Sequence, residues 1–457
     1  MIPARFAAGC AFAALLAAGP SGCSVLDPHN LIGRHFADAP EPQSPFEPAG
    51  LAPELSPRVR MKAFDFVWET IRDHYYDASL AGVDWNAVRE KFRPVAMAAP
   101  DDDAFWDVLD RMTGELRDAH TRVESPKRVA LRNRDEAVTL GFTFIRIGDK
   151  LVVSWVSPDA DAWWAGVRAG MTLTEIGHEP AMNAYLKAMA ETRNDSTERS
   201  RHYRVVRKIV AGDPGTKVTL AFERPDGTRL ESTISRGAVR FPPKGEHRVL
   251  DSGYGYIHFT QWTYSLGSRA TEAVKSLRNT PGLIIDLRGN PGGSAESVNA
   301  FIQKFFPHRT ELGHVITRDG KAVTLFFGAL PIIKLERVAE GDPDAYTGPV
   351  VILMSAGSAS ASELFASAMQ ALGRAKVVGQ ESCGCLLGFL GYASIPGGGE
   401  LAYSEVAFTN ANGNRVEGEG VMPDRLVPLT VDDLRLQRDR TLEEAQALLA
   451  TMKPWDK

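Results

Sequence analysis

Between residues 61 and 123, apolar side chains recur three and four positions apart. Phe64, Val67, Trp68 and Ile71 make one stripe; Phe105, Val108, Leu109 and Met112 make a second that runs out near Leu116. This period lays each set along one face of a helix, so residues 58–130 are expected to form a helical region, in isolation a small bundle. From about Glu136 the period changes. Residues 138–144 and 150–156 are short strand-like runs, and 213–222 with 227–233 read as a closing hairpin. From Tyr254 onward, strand-like and helix-like segments alternate: strands near 254–259, 282–287, 349–354 and 376–379, helices near 269–277, 295–305 and 362–372. Alternation of this kind predicts an α/β sheet with crossover connections.

The chain has 457 residues, more than one core accommodates, so two or three domains are expected. Hydrophobic residues at 44% and charged residues at 24% are the balance of a globular protein. A net charge of -5 with a pI of about 6.1 leaves no basic footprint for nucleic acid. The N-terminal stretch differs from the rest. Residues 6–19 are an apolar run too short to span a bilayer but sized for the core of an export signal. Small residues then lead to Cys23, and Gly19-Pro20-Ser21-Gly22-Cys23 is similar to a bacterial lipobox, with Pro20 where a Leu is usual. Residues 1–23 are therefore expected to be a signal peptide of the lipoprotein type. Residues 24–57, rich in Pro, Ala and acidic side chains, are expected to be a flexible tether. Of four Cys, Cys10 and Cys23 fall in the export signal. The remaining Cys383 and Cys385 are no disulfide framework and a poor zinc site, so they are expected to be small packed residues, with no metal.

Two segments carry candidate chemistry. Ser355-Ala-Gly-Ser358-Ala-Ser360-Ala-Ser362-Glu363 follows an apolar strand and opens a helix. Such a turn projects a side chain from the sheet edge, beside helix N–H groups that can hold an oxyanion. A plain Ser-rich helix N-cap would have the same appearance. Asp286-Leu-Arg288-Gly289-Asn290-Pro291-Gly292-Gly293 also joins a strand to a helix, and its consecutive Gly residues let backbone N–H groups converge on a carbonyl. It lacks the Lys-Ser/Thr ending of a phosphate loop.

Together these segments resemble the tail-specific (C-terminal processing) serine peptidases and the core of tricorn protease. The resemblance spans roughly residues 61–429 and includes Glu417-Gly-Glu-Gly-Val-Met-Pro-Asp424. Residues 157–177 are similar to PDZ domains of exported proteases, with 182–210 as an extended helical segment. The resemblance implies an α+β multidomain chain. It would have an N-terminal helical region, a PDZ-like β domain at 136–240, a ClpP/crotonase-like α/β catalytic domain at 250–432, and a C-terminal helix at 433–457. It places the nucleophile on Ser360 and oxyanion donors on Gly292 or Gly293 and Ala361.

The chain departs from the family at the usual lysine base: residues 378–386 put Cys385 in its place. A thiol of ordinary pKa is a poor substitute for a desolvated amine. Leu116-Arg-Asp118-Ala119-His120-Thr121 resembles the motif of the tricorn-like branch, which makes His120 the base. Glu417 then orients the imidazole, with Glu419 as competitor; the Ser that precedes the base in tricorn is Ala119 here. The function implied is an exported, lipid-anchored serine endopeptidase of the cell envelope, periplasmic or attached to the outer membrane. Its partners would be a polypeptide substrate, a protein adaptor, and the membrane through the lipid. No cofactor is implied. The PDZ-like run 140–144 would bind a free C-terminus by strand addition. The rival expectation is a catalytically inactive peptide-binding lipoprotein of the same fold; Cys385 as a thiol nucleophile, or Cys383 and Cys385 as a redox-active C-x-C pair, is a more distant one.

Overall fold

The computed structural model describes residues 31, 34, 54–132, 136–192, 195–325 and 329–455. The export signal and Cys23 lie outside the described residues.

Helices Pro57–His74, Trp85–Met97 and Asp102–Thr113 bury the two stripes expected from the spacing. Asp84 and Asp101 cap two of them, accepting the N–H of Ala87 at 3.0 Å and of Ala104 at 2.7 Å. These helices do not make a free-standing bundle. Their core is completed by Leu387, Ala393, Ile395, Leu401 and Tyr403 from the far end of the chain. Strand Arg122–Glu124 pairs antiparallel with Glu400–Ala402, which ties the segment after His120 to the C-terminal half. The apolar stripes specify helices but not their partner, and the partner lies nearly three hundred residues downstream.

Residues 31 and 34 also correct an expectation. Arg34 forms a buried ion pair with Glu405 at 2.6 Å and bonds the Tyr403 hydroxyl, while Leu31 packs with Val323 and Leu325. These two positions of the expected tether are therefore docked. A buried guanidinium stays there only because an acidic partner meets it.

The β domain is a curled antiparallel sheet. Strand Phe142–Ile147 forms one edge, followed in order by Lys150–Val156, Thr172–Ile176, Lys217–Glu223 and Arg229–Ser235. Helices Ala181–Glu191 and Glu198–Val210 fill the long charged stretch, and the second lies against the edge strand, closing a core of Phe142, Phe144, Val205 and Val206.

The remaining half is built on a six-stranded sheet. Gly255–Phe259, Leu283–Asp286, Val350–Met354, Lys376–Gly379 and Arg425–Leu426 run parallel, with Gly245–Val249 antiparallel at one edge. Alternate residues face opposite layers. Ile257, Ile285, Ile352 and Val377 face the helices Tyr264–Ser276 and Ala361–Ala371; Ile284, Val351, Leu353 and Val378 face the C-terminal helix through Ala445 and Leu449. A sheet covered on both faces needs strands that are apolar throughout, as 349–354 is. Loops at the carboxyl ends of three neighbouring parallel strands converge, the usual place for a site in an α/β sheet. A cleft of about 2590 Å³ separates this sheet edge from the β domain.

Among the described residues, no helix is long and apolar enough to cross a membrane, and no group of three or more His, Cys, Asp or Glu is placed to hold a metal ion.

Candidate active site

Ser360 sits between strand Val350–Met354 and helix Ala361–Ala371 with φ 51° and ψ -115°. A non-Gly residue in this region costs on the order of 1–3 kcal/mol and persists only where its surroundings impose it. The imposition is visible. The Ser360 N–H is shared between the Cys385 carbonyl and the Glu363 carboxylate, both at 3.0 Å. Across the turn, a Cβ on Gly292 would stand 2.7 Å from the Ser360 Cβ and 2.9 Å from the Ala361 nitrogen, so only Gly fits there. Gly292 also has φ +101°, which suits no side chain.

The neighbouring serines are committed elsewhere. Ser358 Oγ donates to the Leu287 carbonyl at 2.8 Å and accepts the Ser355 N–H. Ser362 Oγ donates to the Asn290 carbonyl at 3.0 Å and accepts the Trp262 indole N–H. Both are fully buried, whereas Ser360 is partly exposed. Ser358 and Ser362 thus stitch the two strand-to-helix loops together. Asn290 adds to the seam: its Nδ2 donates to the Phe259 carbonyl and its own carbonyl accepts the Ala359 N–H.

Of the expected oxyanion donors, Gly292 is spent. Its N–H donates to Asn290 Oδ1 at 3.0 Å. This leaves the amides of Gly293 and of Ala361, the first residue of the helix, where the macrodipole also favours negative charge. Sequence could not separate Gly292 from Gly293, because the difference lies in one side-chain hydrogen bond.

His120 follows a left-handed Arg117 at the end of the helical region. The buried Asp118 organises this turn, accepting the His120 N–H at 2.7 Å, the Thr121 hydroxyl at 2.5 Å and the Ser404 hydroxyl at 2.6 Å. Burial pushes the imidazole down to about 4, aided by Arg122 and opposed by Asp118, so it is neutral and able to accept a proton at pH 7. Its Nδ1 is buried and has no hydrogen-bond partner among the described residues. Among the described residues no hydrogen bond joins the ring to Ser360 or to Glu417; such bonds often tighten only when substrate binds.

Glu417 and Glu419 separate clearly. Glu419 is exposed. Glu417 accepts the Leu386 N–H at 2.5 Å and a hydrogen bond from the Ser196 side chain. Burial pushes its carboxyl up to about 8; the nearby Asp118 charge adds to this, and the two hydrogen bonds oppose it. The three expected residues thus belong to one connected structure. Ser360 bonds Cys385, the next residue Leu386 bonds Glu417, Glu417 bonds Ser196, and Ser196 Oγ accepts the N–H of Ala119 at 3.0 Å, beside His120.

Three features were not foreseen. Cys383 and Cys385 are joined in a disulfide rather than packed as free thiols; two residues apart, they close a loop that local spacing alone does not reveal. Glu363 is fully buried and accepts four hydrogen bonds, from the N–H groups of Ser360, Gly384 and Cys385 and from the Ser382 hydroxyl. Its only sequence signal is a Ser-x-x-Glu capping pattern. Ser196 left no signal at all. One expected binding donor is also spent, since the Leu140 N–H bonds the Val210 carbonyl at 3.0 Å.

The arrangement offers a partly exposed hydroxyl on a strained turn, two amides beside it with no hydrogen-bond partner among the described residues, a neutral imidazole, and a carboxylate on a connected loop. These are the parts needed for acyl transfer. Comparison with known proteins agrees. Residues 253–427 match Peptidase family S41, and residues 57–114 match the Tricorn protease C1 domain. The chain is 25% identical over 420 residues to the putative tricorn protease homolog 2 of Streptomyces coelicolor, covering 86% of this chain and 32% of that one. It is 23% identical over 376 residues to the carboxyl-terminal-processing protease of a Picosynechococcus species, covering 79% and 81%. The chain therefore spans about a third of the first relative and most of the second. Among solved structures it is similar to mature CPAF (TM-score 0.66, 14% identity, 86% and 98% covered) and to the photosystem II D1 C-terminal processing protease (TM-score 0.55, 21% identity, 86% and 97% covered).

Proposed function

We propose, on the premise that this chain carries a Peptidase family S41 domain behind a Tricorn protease C1 domain and is a serine peptidase, that Ser360, His120 and Glu417 perform its chemistry on polypeptide substrates. The observation that carries the assignment is Ser360 itself: the residue of the turn with a strained backbone, and the one whose neighbours Ser358 and Ser362 have hydroxyls tied to backbone carbonyls. Strain of this kind marks a side chain held out for work.

Ser360 Oγ attacks the peptide carbonyl carbon while His120 takes the hydroxyl proton. The carbonyl oxygen becomes an oxyanion held by the N–H groups of Gly293 and Ala361. The C–N bond breaks, the amine leaves with the proton returned by His120, and an ester to Ser360 remains. Water, deprotonated by the same imidazole, attacks the ester; the bond from the acyl carbon to Ser360 Oγ breaks, His120 returns the proton to Oγ, and the acid is released. Glu417 steadies the imidazolium as the pair closes on substrate.

The β domain acts as a PDZ-like receptor for an extended or C-terminal segment. Supporting this, strand Phe142–Ile147 is a sheet edge, and the cleft beside it is lined by Phe142, Phe144, Tyr203 and Val206. A peptide added to such an edge gains main-chain hydrogen bonds and side-chain pockets together. The protein is exported and lipid-anchored at Cys23, in the periplasm or at the outer membrane. The Cys383–Cys385 disulfide favours an oxidising compartment.

A fluorophosphonate probe tests the enzyme reading. Labelling at Ser360, lost together with peptide hydrolysis in Ser360→Ala, is the expected result. A folded wild-type protein that takes no label would instead be the inactive peptide-binding lipoprotein.

A further inference from the structure

The Glu198–Val210 helix belongs to the β domain, yet its N-terminal end grips the catalytic loops. Thr197 Oγ1 donates to the Cys383 carbonyl at 2.5 Å. Arg199 donates to the Ser382 carbonyl, the Glu381 carboxylate and the Glu419 carbonyl. Between the helical region and these loops stands Ser196. Its oxygen accepts the Ala119 N–H at 3.0 Å, and its side chain is hydrogen-bonded to the Glu417 carboxylate. A hydroxyl has one proton to give and lone pairs to receive, so it can serve an amide and a carboxylate at once. Ala119, directly before His120, has no hydroxyl of its own with which to do this.

We propose that Ser196 is a positioning residue of the peptidase reaction, its hydroxyl holding Glu417 and the Ala119–His120 turn in register, so that the β domain contributes part of the apparatus that activates Ser360. The proposal rests on the functional reading above. It gives Ser196 no contact with substrate; it acts through Glu417 and His120.

The electrostatics give it a distinctive signature. The titratable groups that act on Glu417 are the carboxylates of Asp118 and Glu363 and the phenols of Tyr75 and Tyr76, with Arg415 beyond the Tyr76 ring. The carboxylates oppose its ionisation. Ser196 and the Leu386 N–H are the donors that favour it. Removing the Ser196 hydroxyl therefore raises the Glu417 carboxyl further and moves the onset of activity to higher pH.

The test measures fluorophosphonate labelling of Ser360 across pH, with kcat and KM on one peptide, in the full chain and in Ser196→Ala and Ser196→Thr. Ser196→Ala should label roughly tenfold to a hundredfold more slowly, the scale of one hydrogen bond to a charged group. Its midpoint should move to higher pH, its KM should stay unchanged, and Ser196→Thr should restore most of the rate. In a Glu417→Gln background the same Ser196→Ala change should add little, because the two residues act as a unit; this comparison stands even if Ser196→Ala lowers stability. An unchanged pH midpoint, a Thr variant as slow as Ala, or fully additive effects would overturn the proposal while leaving the peptidase reading intact. Absence of label in the wild type overturns both.

Discussion

The carboxylate of Glu363 bonds the backbone amide of Ser360 at 3.0 Å, from within the first turn of the helix that Ser360 begins. The same buried carboxylate receives the amides of Gly384 and Cys385 and the Ser382 hydroxyl. One side chain therefore fixes the strained turn at Ser360 to the disulfide loop. Burial pushes its carboxyl up, and the four hydrogen bonds pull it back.

Glu363→Ala should strand these four donors in a fully buried site. Each unsatisfied buried group costs about 1–3 kcal/mol, so a loss of roughly 3 kcal/mol or more is expected even with local relaxation. Urea unfolding measures this. Labelling of Ser360 should fall more steeply than stability does, because the turn can then relax out of its strained conformation.

His120→Ala should lower turnover by several orders of magnitude, since base and nucleophile act as a unit. Glu417→Gln should lower it less and should flatten its pH dependence. Wild-type activity should rise with pH as Glu417 ionises near 8, while His120, held near 4, is already neutral. The stability linkage has a fixed sign. The Glu417 carboxyl is raised in the folded state, so the native protein holds a proton that the unfolded chain has lost. That contribution is full below the ordinary Glu range and is lost as pH rises through about 8. Thermal melts should show the wild type losing ground to Glu417→Gln between pH 5 and 9. Identical slopes would contradict the assignment of Glu417.

Peptides ending in a free carboxylate should bind the cleft along Phe142–Ile147 more tightly than the same peptides amidated. The Leu140 amide is committed to Val210, so the carboxylate must be held by later amides of the 140–144 run. Tyr203→Ala should weaken binding by opening the apolar wall that this residue contributes to the cleft. Fluorescence anisotropy with paired acid and amide peptides measures both effects; equal affinity of the two peptides contradicts the assigned role.

Much of the architecture was readable from local pattern. Residues 349–354 are apolar without interruption because the strand is covered on both faces, and the turn after them had to end in small residues to enter a helix directly. The stripe of Phe64, Val67, Trp68 and Ile71 marks its helix because side chains three and four apart share a face. In each case the cause acts within a few residues, so composition and spacing carry it.

Other features depend on residues meeting across the chain. Ala119 and Ser196 are 77 positions apart, and nothing near either one announces the bond between them. Arg34 finds Glu405 across 371 positions, and the helical region finds its core partner in Leu401 and Tyr403. Glu417 rather than Glu419 enters the network because the loop bearing both presents only the first to Leu386 and Ser196. The sequence by itself determined the elements and the kinds of side chain available for chemistry. The fold settles which carboxylate joins the Leu386 and Ser196 network, because a hydrogen bond depends on tenths of an ångström between groups that distant parts of the chain bring together.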